Sequence, residues 1–71
     1  MEPIEIKHAI ERAGKTQTEI ARTVGVTKAT VNLVIWHGAV SAPVRHEISR
    51  VIGRPVEQIW PDYYMKRSVN Q

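Results

Sequence analysis

The sequence predicts an all-α fold in which five short helices form a single domain. Apolar residues recur along the chain at spacings of three and four, and no stretch of useful length alternates with a period of two. Glycine and proline interrupt this pattern at short intervals, which limits the length of each helix. With 71 residues, the chain would bury roughly 62% of its unfolded surface, which supports one modest core. Phe is absent and there are only two Trp and two Tyr, so we expect that core to be aliphatic.

The first helix is predicted over residues 3–13. Apolar residues follow the helical period from Ile6 to Ala13, and Pro3 suits a first helical position because its missing amide would have no partner there. Gly14 suits the residue that ends a helix.

The second helix begins at a capping box, Thr16-Gln17-Thr18-Glu19. The Thr16 hydroxyl can accept a hydrogen bond from the Glu19 amide while the Glu19 carboxylate reaches back. Ile20, Ala21 and Val24 then share one face, and Gly25 ends the helix.

The third helix is predicted from a cap at Thr27 to about His37, with Gly38 closing it. Residues 31–36 are rich in β-branched side chains and in isolation resemble a strand. The cap before them and the helical pattern around them favour a helix.

The fourth helix begins at Ser41-Ala42-Pro43 and ends at Gly53. Its inward residues are predicted to be Val44, Ile48, Val51 and Ile52. A last turn of helix covers residues 56–60, and Pro61 terminates it. We therefore predict one domain over residues 1–65 and a flexible polar tail over residues 66–71.

The most informative stretch is residues 17–36, QTEIARTVGVTKATVNLVIW. Ala21 is small where a second helix would cross closely, and Gly25 allows the positive φ of a sharp turn. Val31 and Val34 can point back into the core shared with the preceding helix. This spacing predicts a helix-turn-helix unit, whose second helix enters the major groove of DNA.

From Ile6 to Tyr64, the chain resembles the lambda-repressor-like family of five-helix DNA-binding domains. Residues 53–64, GRPVEQIWPDYY, resemble the end of the Ner-like proteins, which are small regulators of Mu-type phages and their bacterial relatives. The resemblance implies a transcriptional regulator that binds double-stranded DNA, often a phage or prophage repressor of early genes.

On the third helix, placing Val31 inward puts Ala29, Leu33 and Trp36 on the opposite side. The residues expected to contact bases are Lys28, Ala29, Asn32, Leu33 and Thr27. Apolar side chains can contact thymine methyl groups, an amide can bond adenine, and an ammonium group can reach guanine or a phosphate.

Phosphate contacts are expected near helix N-termini, where backbone amides and the helix dipole favour anions. The resemblance implies such contacts for Gln17 at the start of the second helix and for Ser41 and Arg45 at the start of the fourth. Arg22, Lys15 and Thr30 are further candidates. Lys7, Arg12, Arg50 and Arg54 are expected to be solvated or paired with nearby Glu residues.

Several of these residues have alternative interpretations. Leu33 and Trp36 can instead pack on the fourth helix or on a partner subunit, and for Trp36 its place near the helix end favours packing. Asn32 can be an ordinary solvated residue. Thr27 and Thr30 can cap the helix or bond to its backbone instead of contacting DNA.

Other classes of function find little support in the sequence. There is no Cys for a disulfide, a thiolate metal site or a thiol nucleophile, which fits a reducing cytosol. The three histidines His8, His37 and His46 have no ligand spacing, and no catalytic constellation accompanies them. We expect no enzymatic activity, no metal, no cofactor, no small-molecule ligand and, without an apolar run of about 18 residues, no membrane insertion.

The sequence thus predicts a cytoplasmic, nucleoid-associated regulator that binds operator DNA, where two copies could act as a homodimer or as a tandem pair. The excess of ten Lys and Arg over seven Asp and Glu is compatible with this but does not decide it. The alternative is a protein-interaction module, such as an antitoxin or a polymerase adapter. In that case Trp60, Tyr63 and Tyr64 would form a docking patch, although Trp60 is expected to close the bottom of the core under the tyrosines.

Overall fold

The structure is a computed structural model that describes residues 1–61. Five helices follow one another along the chain: α1 (Pro3–Arg12), α2 (Gln17–Val24), α3 (Lys28–His37), α4 (Ala42–Ile52) and α5 (Val56–Ile59). Residues 1–61 contain no strand, so the all-α prediction is confirmed. The predicted tail over residues 66–71 and the predicted positions of Tyr63 and Tyr64 lie outside the described residues.

The caps explain where most of these helices begin. The Glu19 amide donates to Thr16 Oγ1 at 3.1 Å, and the Thr16 amide donates to the Glu19 carboxylate at 3.0 Å, so the predicted capping box is present. A second box at Glu2, whose amide donates to Glu5 at 2.7 Å, was not predicted. Ser41 occupies the N-cap position of α4 without a side-chain cap hydrogen bond. Each satisfied cap removes one of the amides that a helix start leaves unpaired.

The helix-turn-helix unit is formed by α2, α3 and the three residues between them. Gly25 has a φ of 85°, and its amide and that of Val26 both donate to the carbonyl of Ala21, at 2.8 and 2.9 Å. These bonds end α2 with a left-handed turn, and Thr27 then caps α3 by accepting from the Thr30 amide at 3.3 Å. The sharp turn predicted at Gly25 is therefore confirmed.

The core is aliphatic and is closed at one end by Trp60, which is 9% exposed. As predicted, Val31 and Val34 of α3 are completely buried beside α2, and Ala21 lies in the same cluster. The buried residues are Ile6, Ile10, Ile20, Ala21, Val31, Val34, Ile35, Val44, Ile48, Val56, Ile59 and Trp60. Within residues 1–61, no helix has the length and apolar character needed to cross a membrane.

Candidate nucleic-acid interface

The outward side of α3 carries two rows of side chains at a spacing of four residues. Ala29 and Leu33 form an apolar row, and Leu33 leaves 48% of its surface exposed. Lys28 and Asn32 form a polar row that continues into Trp36, which is 39% exposed. Side chains four apart on a helix lie above one another, so each row presents one continuous strip.

The polar row lines one wall of a groove of about 350 Å³. We call it the lysine groove, because the side chains of Lys7, Lys15 and Lys28 all line it. The opposite wall is formed by α1 and the start of α2. The complete lining is Lys7, Ile10, Glu11, Lys15, Thr16, Gln17, Thr18, Lys28, Asn32 and Trp36. Of the residues predicted from the sequence to contact DNA, the groove brings together Gln17, Lys15, Lys28 and Asn32.

The lysine groove has the electrostatics of an anion-binding surface. Three lysines and one glutamate, Glu11, are the charged residues that line it, and Lys15 also lines the neighbouring depression that holds Glu47. The first turn of α2, at Gln17 and Thr18, adds the positive end of a helix dipole to the same wall. The surface beside α3 therefore favours an anionic partner, and a phosphate backbone is one such partner.

Trp36 also lines a second, larger groove of about 660 Å³. The charged groups there are the carboxylates of Glu2 and Glu5, the guanidinium of Arg45 and the terminal ammonium group of Met1. These charges balance, so this groove offers a phosphate backbone no net attraction. Of the two grooves that Trp36 lines, the lysine groove is the one suited to nucleic acid.

Two of the predicted contact residues form the cap of α3. The Thr30 amide donates to the Thr27 hydroxyl. The hydroxyl oxygens of Thr27 and Thr30 also lie within hydrogen-bonding distance of each other, at 3.1 Å. Thr27 is exposed and Thr30 is half-buried. The capping role considered as an alternative for this pair is thus present in the structure.

Arg22 lies in a separate shallow depression of about 160 Å³ between α2 and α4. Its charged neighbours there are Lys15, Glu19, Glu47 and Arg50. The hydrogen bond from Arg50 lowers the pKa of Glu47, and the same bond raises the pKa of Arg50. The pairing of Arg50 with a nearby Glu is therefore confirmed, and Arg22 sits among mixed charges outside the lysine groove.

Arg45, predicted to contact a phosphate, is only 5% exposed. Its guanidinium carbon lies 4.8 Å from the centre of the Trp60 ring, and Nη2 donates to the carbonyl of Gly38 at 3.5 Å. A phosphate contact would require this side chain to turn away from Gly38 and Trp60. Burial therefore counts against the expected contact, because the fourth-helix position that the resemblance implies for DNA faces inward here.

The sequence-based interpretation assigned other roles to two residues of the groove. Lys7, expected to be solvated or paired with a nearby Glu, is half-buried in the lysine groove, which Glu11 also lines. Trp36, expected to pack on α4 or on a partner subunit, lies beside α1, and neither it nor Leu33 is buried against α4. The four-residue spacing from Lys28 through Asn32 to Trp36 was a signal that all three share one side of α3.

The chain matches, over residues 1–71, a family model described as winged helix-turn-helix DNA-binding. No curated protein and no solved structure matches the chain. Helices α2 and α3 form the helix-turn-helix named in that description. Residues 1–61 contain no strand that could form a wing. No three side chains of metal-ligating type lie together in that part of the chain.

Proposed function

Because the chain belongs to the winged helix-turn-helix DNA-binding family, we propose that it is a transcriptional regulator that binds double-stranded DNA sequence-specifically. The observation that carries the proposal is the exposed double row of α3 beside the lysine groove. In this arrangement α3 enters the major groove while the lysine groove faces the adjacent backbone. We assign the base contacts to α3, because its two outward rows are exposed.

The base contacts are assigned to the two outward rows of α3. The side-chain amide of Asn32 can donate to N7 of adenine and accept from its N6 amino group in the major groove. Lys28 can donate to guanine or to a flanking phosphate. Ala29 and Leu33 offer apolar contact. Thr27, exposed at the start of α3, is a further candidate. Its hydroxyl would have to bond a base while it still accepts the capping hydrogen bond from the Thr30 amide.

The phosphate contacts are assigned first to Gln17, Lys15 and Lys7, because they share the lysine groove with Lys28. Contacts to phosphate orient a protein on DNA without reading sequence. Ser41, Arg22 and Thr30 lie outside this groove and are retained as peripheral contacts. Arg45 is not assigned to DNA.

The likeness of residues 53–64 to the end of Ner-like proteins supports a repressor of phage or prophage type that acts on chromosomal DNA in the cytoplasm. Occupancy of an operator near a promoter would then block transcription. Two copies on a two-fold or tandem site would read two half-sites about one helical turn apart, either as a homodimer or as independent neighbours.

The test is a backbone-amide NMR titration of labelled protein with a duplex of about 15–20 base pairs, at low and near-physiological salt. Non-specific affinity suffices because it arises from phosphate contacts. We expect salt-sensitive shifts at Gln17, Lys28 and Asn32 and around Lys7, with little change at Arg45.

The absence of shifts at low salt would contradict the proposal. The alternative of a protein-interaction module, such as an antitoxin or a polymerase adapter, would then be pursued through partner capture. Shifts confined to the groove beside Glu2 and Glu5 would also contradict the assigned orientation.

A further inference from the structure

The side chains that α3 exposes include one row, Ala29 and Leu33, without any hydrogen-bonding group. Its exposed residues are Lys28, Ala29, Asn32, Leu33, Trp36 and His37. Lys28 stands at the first turn and Asn32 is the single amide. The outermost row, Ala29 and Leu33, carries no polar atom beyond the backbone.

Leu33 leaves nearly half of its surface exposed, at 48%, in the middle of the helix proposed to face DNA. An apolar side chain gains free energy when it leaves water for contact with another apolar group, and the polar edge of a base does not provide such a group. The apolar group that the major groove offers is the methyl group on C5 of thymine. In 5-methylcytosine, a methyl group occupies the same ring position.

We propose that Leu33, supported by Ala29, reads the C5 methyl group of a pyrimidine, so that cytosine methylation at that position strengthens binding. The inference rests on the proposed function, since it requires α3 to lie in the major groove. Thymine and 5-methylcytosine differ at position 4, where one has an acceptor and the other a donor. A leucine side chain has no group that senses this difference, so the methyl group contributes in both bases.

The expected size of the contribution follows from the burial of one methyl group. Removing about one CH₂ equivalent of apolar surface from water changes an equilibrium constant about fourfold. Leu33 reaches further from the helix than Ala29, so we expect the main effect at one base pair and a smaller effect at the pair that faces Ala29.

The experiment begins with selection of binding sites from a random duplex library by the 71-residue protein. At each selected T·A pair, four duplexes are then compared: T·A, U·A, 5-methylcytosine·G and C·G. The first two differ only by the methyl group, and so do the last two. We expect both ratios of dissociation constants to be about fourfold at one position and close to one elsewhere.

The Leu33→Ala variant should reduce both ratios towards one at that position, and Leu33→Met should keep them because it still offers an apolar side chain. Val40→Ala is the matched control, since Val40 is an apolar side chain that is 63% exposed but lies after α3. It should leave both ratios unchanged. Circular dichroism of each variant establishes that the helices are intact.

Three results would overturn the inference. The first is a ratio of dissociation constants of one at every position of a selected site. The second is a ratio above one that persists in Leu33→Ala. Both would leave the proposal of DNA binding in place. Failure to enrich any site, together with no NMR shifts on addition of duplex, would overturn the proposed function as well.

Discussion

At Arg45, a basic side chain is part of the packing between helices. Its guanidinium carbon lies 4.8 Å from the centre of the Trp60 ring, and its Nη2 donates to the Gly38 carbonyl at the end of α3. These contacts connect α4 with the residues that follow α3 and α5. A cation over a shielded indole ring contributes on the order of 1–2 kcal/mol, and the alkyl stem adds packing.

We predict that Arg45→Ala lowers the free energy of unfolding by about 2 kcal/mol, because it removes both the cation–π contact and the stem. Urea denaturation measures this change. The salt dependence of DNA binding should keep its slope, since Arg45 is not assigned to a phosphate. Arg22→Ala is the control for stability and should have little effect. A slope reduced by about one in Arg45→Ala would restore the phosphate contact expected from the sequence.

At the scale of elements, the orientation of α3 depends on the three-residue turn that follows α2. Gly25 adopts a φ of 85°, which L-residues other than Asn and Asp rarely adopt. No atom outside the adjoining residues lies within 4 Å of where a Cβ at this position would stand. The requirement for glycine is therefore conformational and not one of space.

We predict that Gly25→Ala lowers the free energy of unfolding by about 1–2 kcal/mol, the difference between right-handed and left-handed backbone for an L-residue. Gly25→Asn should cost less, because its short polar side chain tolerates the left-handed region. Thermal or urea unfolding of the two variants gives the order. Equal losses would indicate that crowding and not backbone conformation determines the preference.

Across the whole molecule, the distribution of charge matters more than its sum. The net charge of +3 is modest, yet Lys7, Lys15 and Lys28 converge on one groove with a single carboxylate. The larger groove that Trp36 also lines has two carboxylates balanced by one guanidinium and the terminal ammonium group of Met1. A duplex approaching the protein is therefore attracted to the lysine groove and not to the charge-balanced groove.

We predict that Lys15→Ala and Arg12→Ala, which remove the same charge, differ in their effect on DNA binding. Lys15 lines the lysine groove, whereas Arg12 is an exposed residue in the last turn of α1. Lys15→Ala should reduce the slope of log affinity against log salt by about one, and Arg12→Ala should leave it nearly unchanged. Fluorescence anisotropy with a labelled duplex measures both. Equal slopes would mean that net charge alone governs association.

Local chemistry was enough to predict the elements. Thr16 and Glu19 form the capping box that their spacing predicts, and Gly25 ends α2 in the left-handed conformation. The helical period of Val31 and Val34 predicted which side of α3 is buried and hence which side is exposed. These features depend on residues within one or two helical turns of one another, so they can be predicted from the sequence.

The sequence by itself therefore determined the all-α class, the helix-turn-helix unit and the outward rows of α3. Only the tertiary structure decided where Arg45 and Lys7 lie, because the neighbours of both come from helices distant along the chain. Arg45 is buried by the approach of Trp60, and Lys7 reaches the groove because α1 packs beside α3. The spacing of residues along one helix predicts which side is apolar, but not which neighbouring helix covers a charged side chain.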